Sequence, residues 1–159
     1  MSEWSDWLDI ALCKEMGRLY RWCGVYRVRL ADVEGSPIEI PRLLATDRDG
    51  ILAIGESVKI ARRIREFHNG FEGRRPEHPA AEKLFLARCF TDFEKRIYKN
   101  HRIQFAARKL NDKSEAQKEE ARLLKSYFEK CGELPPLNSC MPDKTVLLWI
   151  NLSVQERSS

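Results

Sequence analysis

Residues 24–30 read GVYRVRL, residues 51–57 read ILAIGES, and the ten that follow, residues 58–67, read VKIARRIREF. In the first stretch Tyr26, Val28 and Leu30 alternate with Val25, Arg27 and Arg29, the period of a half-buried strand. The second is a short apolar run ending at Ile54-Gly55. In the third the pattern becomes helical: Val58, Ala61, Ile64 and Arg65 flank charged residues, Ser57 is placed to cap the helix, and Asn69-Gly70 to stop it. Two strands followed by an amphipathic helix set the start of an α/β (α+β) fold.

Working outward, Ser5 to Met16 spaces Trp7, Leu8, Ala11 and Leu12 at helical intervals, with Ser5 or Asp6 as N-cap, which predicts a short docking helix. Residues 32–42, DVEGSPIEIPR, read as a loop. Leu43–Thr46 and Ile51–Ile54 flank DRDG, whose Asp49-Gly50 pair favours a tight turn, so these two runs are expected to pair antiparallel. Beyond the polar stretch 71–79 a helix is expected from Ala80 to Tyr98, then a strand over Arg102–Leu110. A further helix, capped by Asp112 or Ser114, should run to Cys131, with Gly132 just past its end. A turn, LPPLN, and a strand over Thr145–Leu152 complete the chain. The expected fold is a small antiparallel three-stranded sheet flanked by helices. It forms one domain: an N-terminal helical extension over 1–22, a core over 24–138, and a C-terminal strand and tail over 139–159.

At 159 residues, 43% apolar and 33% charged, the chain can bury a core without staples. The net charge of +4 is mild, but the basic residues cluster. Lys59, Arg62, Arg63 and Arg65 form one group; Lys95, Arg96, Lys99, Arg102, Arg108, Lys109 and Lys113 form another, and such patches suit a phosphate backbone. Five cysteines with no CxxC spacing suggest neither a disulfide framework nor a zinc ribbon. The N-terminus has acidic residues where a targeting peptide has basic ones, and no apolar run is long enough to cross a bilayer, so a cytoplasmic protein with no membrane partner is expected.

The order of these elements, GVYRV, then LAIG, then an arginine-bearing helix, resembles the GIY-YIG endonucleases. Further matches follow in order: His78 at the start of the next helix, Glu120 in EEARLLKSY, and Asn138 after LPP. The likeness spans roughly Gly24 to Asn138. It implies a metal-dependent endonuclease that hydrolyses phosphodiester bonds of DNA with one Mg²⁺ (or Mn²⁺) ion.

The resemblance gives each residue a role. Tyr26 would help to activate the attacking water, and since an ordinary tyrosine has a pKa of about 10, a nearby cation is needed for this. Arg63, eight positions after Gly55, would hold phosphate; His78 would relay a proton or orient the tyrosine. Glu120 would be the metal ligand, with Glu119 as the competing carboxylate and the register of Leu123, Leu124 and Tyr127 favouring Glu120. Lys59, Arg62 and Arg65 would bind substrate phosphates, and Asn138 would anchor a loop beside them. One departure stands out: Ala53 occupies the place of the second motif's tyrosine. The rival expectation is therefore a catalytically degenerate domain that binds nucleic acid or a protein partner. A third is a helical adaptor using Trp4 and Trp7.

Overall fold

The stretch GVYRVRLAD runs between two other strands and forms the middle of the sheet. The computed structural model describes residues 3–13, 21–74, 78–96 and 98–138. Strand β2 (Gly24–Asp32) pairs antiparallel with β6 (His101–Lys109), from Gly24↔Lys109 to Asp32↔His101. On its other side it pairs with β5 (Ile51–Ser57), from Gly24↔Ser57 to Arg29↔Ile51, with a bulge after Val28. β1 (Leu8–Asp9) joins the outer edge of β6, so the antiparallel order is β1-β6-β2-β5. A separate ladder joins β3 (Ile40–Pro41) to β4 (Thr46–Asp47). The helices are α1 (Ile60–Phe71), α2 (Pro79–Phe90), the single turn α3 (Phe93–Arg96) and α4 (Lys113–Cys131). The class is α+β.

Alternation along β2 sorts two apolar layers. Tyr26, Val28 and Leu30, with Ile103, Phe105 and Ala107 of β6, pack on Ile60, Ile64 and Phe67 of α1 and Leu84 of α2. The opposite face carries Ile51 and Ile54 against Leu124, Tyr127 and Cys131 of α4. Each such fully buried aliphatic or aromatic side chain contributes about 1.5–3 kcal/mol of transfer free energy. The ends of α4 follow the sequence signals: Asp112 accepts from the Glu115 amide at the N-cap, and Gly132 takes φ 76° at the C-cap, where a left-handed backbone suits glycine.

Several expectations are corrected. Instead of a helix over 5–16, the described part of that segment holds β1 and a 3₁₀ turn over 10–13; residues 14–16 lie outside the described residues. The reason is the open edge of β6: the Ser5 amide donates to the Ala107 carbonyl, Ser5 Oγ accepts from the Ala107 amide, and Leu8 pairs with Phe105. Trp4 and Trp7 then stack on the Arg27 and Arg29 guanidiniums, at 4.0 and 4.1 Å. The sheet thus has four strands where three were expected.

The hairpin about DRDG does not form as expected either, because β5 takes β2 as its partner and Thr46–Asp47 pairs with Ile40–Pro41. The turn is closed by a side chain: buried Asp47 accepts from the Asp49 and Ile51 amides, and Gly50 sits at φ 65°. The helix expected over 80–98 breaks at extended Thr91, whose hydroxyl accepts from the Phe93 amide and starts α3. The strand expected over 145–152 lies outside the described residues. Among those described, no helix is long and apolar enough to cross a membrane.

Candidate active site

Tyr26 is the third residue of β2, and its side chain faces the α1–α2 layer. Its ring lies directly over Gly55, its partner across the β2–β5 ladder; a Cβ added at Gly55 would overlap the phenol ring and hydroxyl. Glycine at the end of LAIG therefore leaves the space in which the phenol lies. The hydroxyl is hydrogen-bonded to Nε2 of His78 at 3.0 Å. His78 is the N-cap residue of α2, held in extended backbone ahead of Pro79, with its ring edge-on to Phe67 at 4.9 Å.

Both partners of this pair are neutral. Tyr26 is 3% exposed, and burial pushes its pKa up to about 12, although the adjacent Arg63 guanidinium opposes the rise. His78 is 4% exposed, and burial, reinforced by Arg63, pulls it down to about 4. A phenol at about 12 beside an imidazole at about 4 keeps its proton unless further positive charge arrives. His78 Nδ1 is buried without a hydrogen-bond partner.

Arg63 reaches the cluster from α1, steadied by Glu66, whose carboxylate meets Arg63 Nη1 at 3.3 Å and Arg62 Nε at 2.7 Å. Burial works against that carboxylate, yet the two guanidiniums outweigh it and hold Glu66 below its ordinary value. Glu120 arrives from α4 on the other side. Its carboxyl is pushed up to about 7 by burial first and by the Glu56 carboxylate second, while the Glu56 amide and Arg63 work in the opposite direction. Glu119 turns away into an ion pair with Arg108. Seven residues after Glu120, on the same side of the helix, the Tyr127 hydroxyl donates to Asp47 Oδ2 at 3.0 Å, which fixes the register of α4 on the sheet.

The structure thus brings Tyr26, Arg63, His78 and Glu120 together from β2, α1, the start of α2 and α4. Lys59 and Arg62 line a cavity of about 390 Å³ beside Arg63, together with Glu56, Glu66 and Lys113. Arg65 is exposed and does not line it. Asn138 is committed elsewhere: its Oδ1 accepts from the Ile54 amide at 3.0 Å and its Nδ2 donates to the Ile54 carbonyl at 2.9 Å. With Leu137 donating to the Leu52 carbonyl, it closes the outer edge of β5 next to Gly55. These bonds tie the turn around Asn138 to β5. A slightly larger cavity, about 410 Å³, lies at the opposite end of the β2–β6 ladder, by Asp9, Lys99 and Arg102, far along the strands from Tyr26.

Two acidic residues of the cluster were missed in the sequence. Glu56 had a signal, a carboxylate immediately after the glycine that Tyr26 covers. Glu66 had another, spaced three and four residues from the two arginines it holds. Among the described residues there is no group of three or more His, Cys, Asp or Glu side chains able to hold a metal. The donor set at this site is two carboxylates, Glu56 and Glu120, close enough that the charge on Glu56 makes Glu120 costlier to ionise. Hard oxygens that repel each other suit a divalent cation such as Mg²⁺, whose remaining ligands are water and phosphate. No protein-family model, curated protein or solved structure matches the chain.

Proposed function

We propose that this chain is a GIY-YIG-type endonuclease that hydrolyses phosphodiester bonds of DNA with one divalent metal ion. The observation that carries the reading is convergence: a phenol, a guanidinium and a half-buried carboxyl from three different elements share one site, where Arg63 is close enough to act on Tyr26, His78 and Glu120 alike. Glu120, with Glu56 beside it, would hold Mg²⁺ or Mn²⁺. When bound, that ion supplies Lewis acidity for the phosphate and positive charge next to the phenol.

The chain's own residues do the rest. Arg63, kept in place by Glu66, binds a non-bridging phosphate oxygen and offsets charge that grows in the transition state. Tyr26 presents its oxygen to the attacking water and receives that water's proton as its own phenolic proton leaves. His78 is buried, so it acts through Tyr26, whose hydroxyl is hydrogen-bonded to its Nε2. In the tautomer protonated at Nδ1 it can accept the phenolic proton at Nε2.

A second reading keeps the binding surface without the chemistry. Ala53 supports it: the position is 2% exposed within the core and carries no second hydroxyl. Nicking of supercoiled plasmid in Mg²⁺ or Mn²⁺ separates the two. Cleavage by the wild type that is lost in Glu120→Gln supports the nuclease; a wild type inert in both metals, yet binding DNA, leaves the degenerate domain.

A further inference from the structure

The cavity beside Arg63 has a feature that the nuclease reading does not use. Lys59 and Lys113 both line it, one from the start of α1 and the other from the start of α4. Neither ammonium has a carboxylate within ion-pair distance among the described residues, although Glu56 and Glu66 line the same cavity. Glu66 is occupied by Arg62 and Arg63. At the start of α4, Asp112 caps the Glu115 amide and Glu115 accepts from Asn111, so these carboxylates are committed within their own turn.

Both lysines are electrostatically misplaced for folding. A helix N-terminus carries a partial positive charge, so a cation there costs about 0.3–1 kcal/mol where a carboxylate would stabilise. α1 has no acidic residue in its first turn and no side chain capping its amides. An anion in the cavity would meet both ammonium groups; the Lys59 and Ile60 amides are already taken by Ser57 Oγ and the Trp22 carbonyl. Through Glu56 and Arg63 the cavity is continuous with the catalytic cluster.

We propose that Lys113 and Lys59 clamp the phosphate next to the one held by Arg63, so that the chain selects an internal linkage of a polynucleotide over an isolated phosphodiester. The inference rests on the phosphodiester reading of the site. It gives Lys113, from a basic stretch otherwise split between Trp4, Glu119 and the far cavity, a place beside residues of the first basic stretch.

The test is binding of a short fluorescent DNA duplex in EDTA, from low to physiological salt, by wild type, Lys113→Gln, Lys113→Arg and Lys130→Gln. Lys130→Gln removes the same charge from the far end of α4. We expect Lys113→Gln to weaken binding several-fold and to lower the log–log salt slope by about one, as for loss of one phosphate contact. Lys113→Arg should retain most of the affinity, and Lys130→Gln should match the wild type. Thermal stability of Lys113→Gln without DNA should be unchanged or higher, which a structural lysine would not show. Equal losses in Lys113→Gln and Lys130→Gln would reduce the effect to net charge and overturn the clamp, as would undiminished binding by Lys113→Gln or no duplex binding by wild type at low salt.

Cleavage is read separately, on an oligonucleotide and on bis(4-nitrophenyl) phosphate in Mn²⁺. A Lys113→Gln defect confined to KM and larger for the oligonucleotide supports the clamp; equal defects on both substrates overturn it. A wild type that cleaves neither substrate while showing the local Lys113 effect on binding refutes the nuclease and upholds the clamp.

Discussion

The Tyr26 hydroxyl and His78 Nε2 lie 3.0 Å apart, joining an inner strand of the sheet to the N-cap residue of α2 through a bond that solvent does not reach. If Tyr26 passes the proton, Tyr26→Phe lowers the rate on the order of 10² to 10⁴ with DNA affinity little changed. His78→Gln should cost less, since it acts through the phenol. Single-turnover cleavage and duplex titration measure the two; a Tyr26→Phe enzyme as fast as wild type would remove the phenol from the mechanism.

The same histidine predicts a pH effect on folding. Its pKa is held at about 4 in the folded chain, by burial first and Arg63 second, against 6.5 when unfolded. The unfolded state takes up the proton first, so this contribution to stability is complete above 6.5 and is lost as the pH falls toward about 4. Urea titrations at pH 7.5 and 5 should show a smaller acid-induced loss in His78→Gln than in wild type. An equal loss would mean the imidazole is not kept neutral.

Gly55→Ala separates positioning from chemistry. The added methyl would overlap the Tyr26 ring, and a displacement of about 1 Å at a reacting group costs up to about 10² in rate. The expected result is a kcat lowered by about 10 to 10² with near wild-type binding. Unchanged kcat would show that the phenol's place over Gly55 is irrelevant.

Glu120 and Glu119 should behave oppositely to one another. The folded chain holds the Glu120 proton more tightly than the unfolded one, with a pKa of about 7 against 4.5, so its effect on stability worsens as pH rises through that window. If Glu120 holds the metal, Glu120→Gln should abolish cleavage and yet stabilise the fold at pH 8 by on the order of 2 kcal/mol, with no gain at pH 4. Glu119→Gln removes the carboxylate that pairs with Arg108 and should reduce stability modestly while leaving the rate intact. Denaturation curves at the two pH values, with a nicking assay, check both variants; loss of cleavage only in Glu119→Gln would mean α4 is in another register.

Ala53→Tyr looks like a repair on sequence grounds and is not one in the structure. Ala53 is 2% exposed, opposite Val28 and inside the layer formed with α1. A phenol there overpacks the core, costing about 1–3 kcal/mol or more. The urea midpoint should fall with no gain in rate; a variant as stable as wild type would show unrecognised space beside Val28.

By itself the sequence determined the local elements with strong periodicity or unambiguous ends. GVYRVRL alternates in the period of two, the helix after Gly55 switches period, and α4 is bracketed by Asp112 and Gly132, signals that lie within a few residues of the structure they specify. It also placed Tyr26, Arg63, His78 and Glu120 on a common list, because their spacing resembles a family order. What it could not determine was pairing. Ser5–Met16 has a helix-like pattern, but Leu8–Asp9 becomes an edge strand, because β6 leaves backbone groups unpaired that only a neighbouring chain segment can satisfy. The expected DRDG hairpin lost to the β2–β5 ladder for the same non-local reason, with Asp47 closing the turn and receiving Tyr127 from 80 residues away. Tertiary structure alone set the ionisation of the site. Whether Glu120 titrates near pH 7, whether His78 stays uncharged, and whether Lys113 shares a cavity with Lys59 depend on burial and on groups from separate elements, and these arise only when the sheet brings the strands and helices together.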